Sequence, residues 1–164
     1  SLGDLQTWIK YERSSPYAVH IDTGMNRLGI RPEDVPTLIA ASRDDPPAHV
    51  MSHLVDSDDP ACPLNTSQRQ LFAELSQHFP AARKSLSNTV GCYMDREFGF
   101  DIVRPGIGLY GGGPTPPEGH RPLPGMTLEA PILTVQHAKP GESVGYGATH
   151  KLEQPATLAT VAVG

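Results

Sequence analysis

The feature that most constrains the fold is the alternation of helical and strand-like patterns over the first hundred residues. The patterns predict a helix to about Arg13, a strand at 18–21, a helix at 33–42, a strand at 49–54, a helix from about 65 to 79, and strands at 85–87 and 100–103. Such alternation is typical of β–α units, whose strands pair in parallel. The sequence therefore predicts an α/β fold with a parallel sheet, either open or closed.

Local signals support the predicted helices. Leu5 and Trp8 recur at helical spacing in the first. Pro32 stands in the first turn of the second, where proline is tolerated. Asn65 and Thr66 are predicted to cap the third, because their side chains can accept hydrogen bonds from free amides.

The sequence changes character after Tyr110. Residues 111–124 are rich in glycine and proline, without apolar periodicity, and are interpreted as a linker. Strand-like patterns at 128–137 and 158–163 follow, with a turn at 139–142. We predict a domain boundary near residue 120, which separates an α/β part (1–120) from antiparallel β structure (121–164).

Charge and composition exclude several classes of protein. The chain has 13 basic and 18 acidic residues without a basic cluster, which argues against a nucleic-acid partner. No apolar run approaches the roughly 20 residues of a membrane span, and no secretory signal precedes the first helix. Cys62 and Cys92 do not form a disulfide scaffold, and the histidines lack zinc-site spacing. We expect a cytoplasmic protein without a metal.

Five short segments carry the chemistry. Residues 20–29 read HIDTGMNRLG, residues 100–111 read FDIVRPGIGLYG, and residues 144–149 read VGYGAT, while MSHL at 51–54 and SNT at 87–89 lie between the first two. Each resembles a segment typical of alanine racemases, in that family's order and approximate spacing. The chain is identified as a member of the family by this resemblance, which extends over almost its whole length.

The resemblance implies a fold and an activity. Alanine racemases have an N-terminal TIM-type (β/α)₈ barrel that binds pyridoxal 5′-phosphate (PLP), followed by a mostly β domain. Residues 1–120 would then be the second half of the barrel, and residues 121–164 the start of the β domain. The implied activity is the interconversion of L- and D-alanine, which supplies D-alanine for bacterial peptidoglycan. The implied assembly is a homodimer whose subunits share the active site.

The resemblance also implies which residues are catalytic. Racemisation needs a base on each face of the substrate Cα, and Tyr146 matches the tyrosine that the partner subunit contributes. Arg27 matches the arginine that contacts this tyrosine, and a nearby cation favours the phenolate. Arg104 matches the arginine that faces the pyridine nitrogen of PLP, which it leaves unprotonated because a guanidinium keeps its own proton. A weaker electron sink would favour racemisation over transamination. Viewed alone, Tyr146 is a packing residue of a hairpin, and Arg104 pairs with Asp101 or solvent.

The remaining matched positions are implied cofactor contacts. His53 matches a histidine beside the PLP ring, although a histidine at a strand end is otherwise often a satisfied buried group. Asn88, Thr89, Gly106 and Ile107 match the phosphate contacts, which barrels of this type place in the loops after their last strands. Viewed alone, Gly106 is a turn glycine.

Two departures limit what the chain does by itself. Some family members carry a carbamylated lysine at the position of His20, where its carboxylate orients Arg27; here another anion, Asp22 or water would have that role. The lysine that links PLP covalently has no counterpart, because Lys10, Lys84, Lys139 and Lys151 have different surroundings. The chain also stops within an apolar, strand-like run. We therefore expect an inactive fragment of a longer racemase.

Other interpretations remain open from the sequence. One is a broad-specificity racemase of the same fold. A decarboxylase relative is disfavoured, because its pyridine partner is typically acidic whereas Arg104 is basic. A non-catalytic PLP-binding barrel protein would lack the β domain and hence the segment around Tyr146. A fourth is a piece of chain that has no function of its own.

Overall fold

The structure is a computed structural model that describes residues 1–11, 15–114, 116–117, 119 and 122–164. Its contacts divide the chain into two compact units, residues 1–125 and residues 126–164. The predicted end of the first helix near Arg13 and the predicted domain boundary near residue 120 lie outside the described residues. Both stay predictions.

The first unit alternates helices and strands. Its regular elements are α1 (Leu2–Tyr11), β1 (Ala18–His20), α2 (Val35–Ala41), β2 (His49–Met51), α3 (Pro63–Ser76) and β3 (Arg83–Ser85), with 3₁₀ turns at Pro32–Asp34, Val90–Tyr93, Arg96–Phe98 and Ile107–Tyr110. The strands form one sheet in the order β1-β2-β3, and both pairs are parallel. The predicted parallel sheet is confirmed.

The core of this unit lies between the sheet and its helices. Val19 and Val50 face each other in the register of β1 and β2, and both are buried. Phe72 of α3 has no exposed surface, and its ring meets that of Phe100 edge-on at a centroid distance of 5.0 Å. Burying side chains of this size contributes about 1.5–3 kcal/mol each. These buried side chains therefore stabilise the packing of the first unit.

Buried polar residues collect where the parallel strands end. Asp22, Ser52 and Ser87 each follow the carboxyl end of a different strand and are almost fully buried. Because parallel strands end at the same edge of a sheet, these residues share one side of the unit. Buried polar groups need partners, so this edge is organised by hydrogen bonds and not by apolar packing.

The start of α3 differs from the prediction. The helix begins at Pro63 after the N-cap Cys62, because the fixed φ of proline suits the first helical position. The side-chain amide of Asn65 instead donates to the carbonyls of Asp56 (3.0 Å) and Asp59 (2.9 Å). The predicted cap by Asn65 is wrong, and this side chain secures the preceding loop.

The predicted strand at 100–103 is also wrong. Phe100 has a φ of +46°, in the left-handed region. The amides of Asp101 and Ile102 then both donate to the carbonyl of Lys84, at 3.0 and 3.1 Å. Two donors on one acceptor break the spacing of a regular ladder. The segment nevertheless runs beside β3.

The second unit consists of antiparallel β structure, as predicted. β4 (Ile132–Ala138) pairs with β7 (Ala156–Val161), and β5 (Ser143–Val144) pairs with β6 (His150–Lys151). A 3₁₀ turn at Tyr146–Ala148 lies between β5 and β6. Across both units, no described helix has the length and apolar character needed to span a membrane.

Candidate active site

A cavity of about 380 Å³ opens at the carboxyl edge of the sheet, within the first unit. It is lined by His53, Asp58, Asn88, Thr89, Val90, Arg104, Gly106, Ile107, Gly113 and Pro114. The structure thus brings together all the residues that the sequence assigned to the cofactor. They come from three segments: one follows β2, one follows β3, and the third continues from the irregular segment that runs beside β3.

Arg104 is held in this cavity by the ends of two strands. Its Nη1 donates to Ser85 Oγ at 2.5 Å, and its Nη2 donates to the carbonyls of Ser52 at 2.6 Å and Leu86 at 3.4 Å. The carboxylate of Asp101 accepts instead from a backbone amide of β3. The alternative pairing of Arg104 with Asp101 is therefore absent, and the guanidinium is fixed by neutral acceptors.

His53 stands next to Arg104, with 3.4 Å between its Nδ1 and the guanidinium Nη2. Because the guanidinium only donates, Nδ1 is the acceptor and the ring hydrogen lies on Nε2. Burial, and then the charges of Arg104 and Arg27, lower the pKa of His53 from its ordinary value. The lowered pKa favours the neutral imidazole.

Thr89 and Asn88 differ in what they leave free for a ligand. Thr89 Oγ1 accepts from the amide of Gly108 at 3.1 Å, so its own hydrogen remains available to an anion. The Asn88 side chain accepts from the amide of Gly91 at 3.0 Å and exchanges hydrogen bonds with Ser57. These protein contacts occupy the side chain, and the Asn88 carbonyl accepts from Cys92, which leaves the Asn88 backbone amide for the predicted contact.

Gly106 and Ile107 form an open cradle. A Cβ placed on Gly106 would meet no atom within 4 Å. Among the described residues, the amide of Ile107 has no hydrogen-bond acceptor. A free amide beside the Thr89 hydroxyl suits a phosphate, and the Arg104 guanidinium suits a ring nitrogen. The donors present fit PLP.

Arg27 lacks the anionic partner that the sequence suggested. Its side chain is exposed, and the ion pairs in the described part of the chain do not include it. Asp22 Oδ1 accepts from the amides of residues 24–26, and Asp22 Oδ2 lies 3.6 Å from Arg31. The suggestion that Asp22 holds Arg27 is therefore wrong.

The pKa values of His20 and Asp22 are both lowered, but for different reasons. Burial, followed by the charges of Arg104 and His53, lowers the pKa of His20. An imidazole is neutral or cationic, so His20 supplies no anion for Arg27. Burial alone would raise the pKa of Asp22, but hydrogen bonds from three backbone amides and the charge of Arg31 outweigh burial and lower it.

No group of three His, Cys, Asp or Glu side chains suited to a metal occurs in the described part of the chain.

Tyr146 belongs to the second unit, whereas the cavity belongs to the first. Its side chain is fully exposed in the single chain. Gly145 and Gly147, on either side, have φ values of +76° and +73°. The backbone therefore turns sharply before and after Tyr146 and presents its ring outward.

Sequence reasoning missed several residues that build the site. Ser52 and Ser85 fix Arg104, and Thr23 and Gln68 lie behind them in a buried hydrogen-bonded group. The serines at strand ends were a visible signal. Gln68 gave no signal, because its partners are distant in sequence.

Both units of the chain match known protein families. Residues 1–114 match the family described as the alanine racemase N-terminal domain, and residues 125–164 match the alanine racemase C-terminal domain. The alanine racemase of Rhodospirillum rubrum is 45% identical over 155 residues, which cover 93% of this chain and 41% of that protein. The chain thus spans less than half the length of this curated relative.

Solved structures give the same fold. The alanine racemase of Acinetobacter baumannii superposes with a TM-score of 0.82 at 29% identity, covering 99% of this chain and 48% of that one. The alanine racemase of Bartonella henselae with covalently bound pyridoxal phosphate gives a TM-score of 0.71 at 28% identity, covering 99% and 46%. With both domain matches and these structural neighbours, the chain belongs to the alanine racemase family.

Proposed function

We propose that the full-length protein is a PLP-dependent alanine racemase, an isomerase that interconverts L- and D-alanine. The observation that carries the proposal is that Arg104, His53, Thr89 and Ile107 all line one cavity in a member of this family. Guanidinium, neutral imidazole, hydroxyl and free amide are the groups that a phosphorylated pyridine ring requires.

The residues of this chain would hold PLP at both ends. Thr89 and the backbone at Gly106 and Ile107 would bind the phosphate, and His53 would pack beside the ring. When bound, PLP supplies an electron-withdrawing ring that makes the Cα hydrogen of the amino acid acidic. Arg104 would donate to the ring nitrogen and keep its proton, because a guanidinium is not deprotonated in proteins. Neutral acceptors fix this group, which supports the role.

Tyr146 is proposed as the base on one face of the substrate carbon, contributed across a homodimer. Its full exposure in the single chain supports a role at a partner's site. Arg27, which is exposed and free of an ion pair among the described residues, would favour the phenolate by its charge. The base on the other face is the family lysine, which this chain does not contain.

The proposal includes the partial barrel. Residues 1–120 would be the C-terminal half of a (β/α)₈ barrel, and residues 121–164 the start of the β domain. Two observations support this: residues 101–104 run beside β3, and a cavity of about 410 Å³ lies along β1, where a further strand would pair. The isolated chain would be inactive, because none of its lysines lines the cavity that contains Arg104 and His53.

The same proposal covers the cellular role, which is the supply of D-alanine for peptidoglycan in the bacterial cytoplasm. Free Cys62 and Cys92 are consistent with a reducing compartment. Turnover of alanine compared with larger amino acids separates an alanine racemase from a broad-specificity racemase.

The test is Tyr146→Phe in the full-length protein. Removing one proton-transfer group is expected to lower racemisation in both directions by about 10²–10⁴-fold. PLP binding is expected to survive, because the cofactor contacts lie in the other unit. Rates that match the wild type in both directions would contradict the assignment of Tyr146.

A further inference from the structure

Gln68 of α3 is a buried polar residue with every side-chain polar atom engaged. It is 3% exposed. Its Nε2 donates to the carbonyl of His53 at 3.0 Å and to Thr23 Oγ1 at 3.2 Å, and its Oε1 accepts from the amide of Val55 at 2.8 Å. Phe72, one turn further along the same helix face, meets the core through an apolar ring. Packing alone does not call for an amide at position 68.

The three hydrogen bonds of Gln68 join two loops that leave neighbouring strands. His53 and Val55 belong to the chain after β2, and Thr23 belongs to the chain after β1. One side chain therefore fixes the separation of these two strand ends. His53, whose carbonyl it binds, also lines the proposed PLP cavity.

A second path leads from Gln68 to the guanidinium. Thr23 Oγ1 and Ser52 Oγ lie 2.7 Å apart, and both residues are almost fully buried. Because Thr23 Oγ1 accepts from Gln68, its hydrogen is free to be donated to Ser52. The Ser52 carbonyl in turn accepts from Arg104 Nη2 at 2.6 Å. Removing one residue from a buried hydrogen-bond network of this kind leaves its partners unpaired, and each unpaired buried polar group costs free energy.

We propose that Gln68 is a positioning residue for the cofactor cavity, which sets the placement of His53 directly and of Arg104 through Thr23 and Ser52. This inference rests on the proposed function, because it takes the ligand of the cavity to be PLP. Gln68 lies behind the residues that line the cavity and acts on a ligand only through them.

The experiment uses the full-length protein and three kinds of variant. Gln68→Glu keeps the size and the acceptor for Val55 but removes the Nε2 donors. Thr23→Val removes the relay hydroxyl, and Thr23→Ser keeps it. Ser76→Ala is the matched control, because Ser76 is a buried residue of the same helix whose hydroxyl, among the described residues, bonds only to the carbonyl of Ala73. PLP affinity is measured by titrating the PLP-free protein, together with the visible circular dichroism of bound PLP and the melting temperature.

We expect PLP affinity to fall about tenfold or more in Gln68→Glu and Thr23→Val, as is typical when the support behind a ligand contact is lost. The dichroism of the remaining bound PLP is expected to change. Thr23→Ser and Ser76→Ala are expected to retain the wild-type affinity and spectrum. That pattern would support the inference, since a general loss of stability would affect the control as well.

The inference is overturned if folded Gln68→Glu and Thr23→Val bind PLP with the wild-type affinity and spectrum. A loss of affinity in Ser76→Ala equal to that in Gln68→Glu would overturn it too. If Gln68→Glu does not fold, Thr23→Val and Thr23→Ser decide. A wild-type protein that binds no PLP would instead refute the proposed function, which distinguishes the two failures.

Discussion

Gly108→Ala tests the packing on which the phosphate end of the cavity depends. An added Cβ at this position would lie 2.6 Å from Thr89 Cγ2. Ordinary carbon–carbon contacts are about 3.5–4.0 Å, so the methyl group would intrude by roughly 1 Å. Thr89 is buried in the protein and also lines the cavity. If its side chain rotates away, it loses the 3.1 Å hydrogen bond from the Gly108 amide.

The expected cost combines these two effects. Overpacking of this kind costs about 1–3 kcal/mol, and a lost neutral hydrogen bond costs about 0.5–1.5 kcal/mol. We expect Gly108→Ala to lower the free energy of unfolding by about 2–4 kcal/mol. The measurement is urea denaturation of the full-length protein, followed by circular dichroism.

A second substitution makes this reasoning refutable. Thr89→Ser removes Cγ2 but keeps Oγ1, and the nearest remaining Thr89 atoms, Oγ1 at 3.4 Å and Cβ at 3.6 Å, would leave room for the new methyl. The double variant Gly108→Ala/Thr89→Ser is therefore expected to recover more than 1 kcal/mol relative to additivity. Additive effects of the two substitutions would show that the clash with Thr89 is not the cause.

Three further outcomes follow from the first unit. Phe72→Ala is expected to lower the free energy of unfolding by about 3–5 kcal/mol in urea, because the ring has no exposed surface; a loss below about 1 kcal/mol would contradict its central place in the core. The folded-state pKa of Asp22 is lowered, so the stability that it contributes is present above the unfolded value of about 3.9 and is lost as pH falls; Asp22→Asn should show a flatter acid limb in unfolding at pH 2–5. NMR titrations of His20 and His53 should have midpoints below about 6.5, and higher midpoints would refute their burial beside cations.

Local patterns predicted much of the fold. The apolar run at 49–54 became β2 (His49–Met51), and the pattern at 33–42 became a 3₁₀ turn followed by α2 (Val35–Ala41). These elements depend on spacing and on nearby residues such as Pro32, which a sequence displays directly. The segment at 100–103 was mispredicted because its conformation depends on Phe100, whose ring packs against distant Phe72.

The residues that line the candidate site could be predicted from the sequence, but the residues that hold them in place could not. The matched segments named Arg104, Thr89 and Ile107, and the structure places them around one cavity. Their supports come from residues such as Ser85 and Gln68, which approach only after the strands align in parallel. No local pattern encodes a contact between Gln68 and Thr23, 45 residues apart in sequence.

The two glycines that flank Tyr146 differ in which amino-acid substitutions their backbone conformations allow. Gly145 has φ +76° and ψ −174°, a conformation that is open almost only to glycine, and no atom lies within 4 Å of an added Cβ. Gly147, with φ +73° and ψ −1°, is in the left-handed region that asparagine also adopts. A saturation library should therefore accept asparagine at 147 and reject every replacement at 145. Position 145, which carries no chemistry, would then be as invariant among functional sequences as the tyrosine that it precedes.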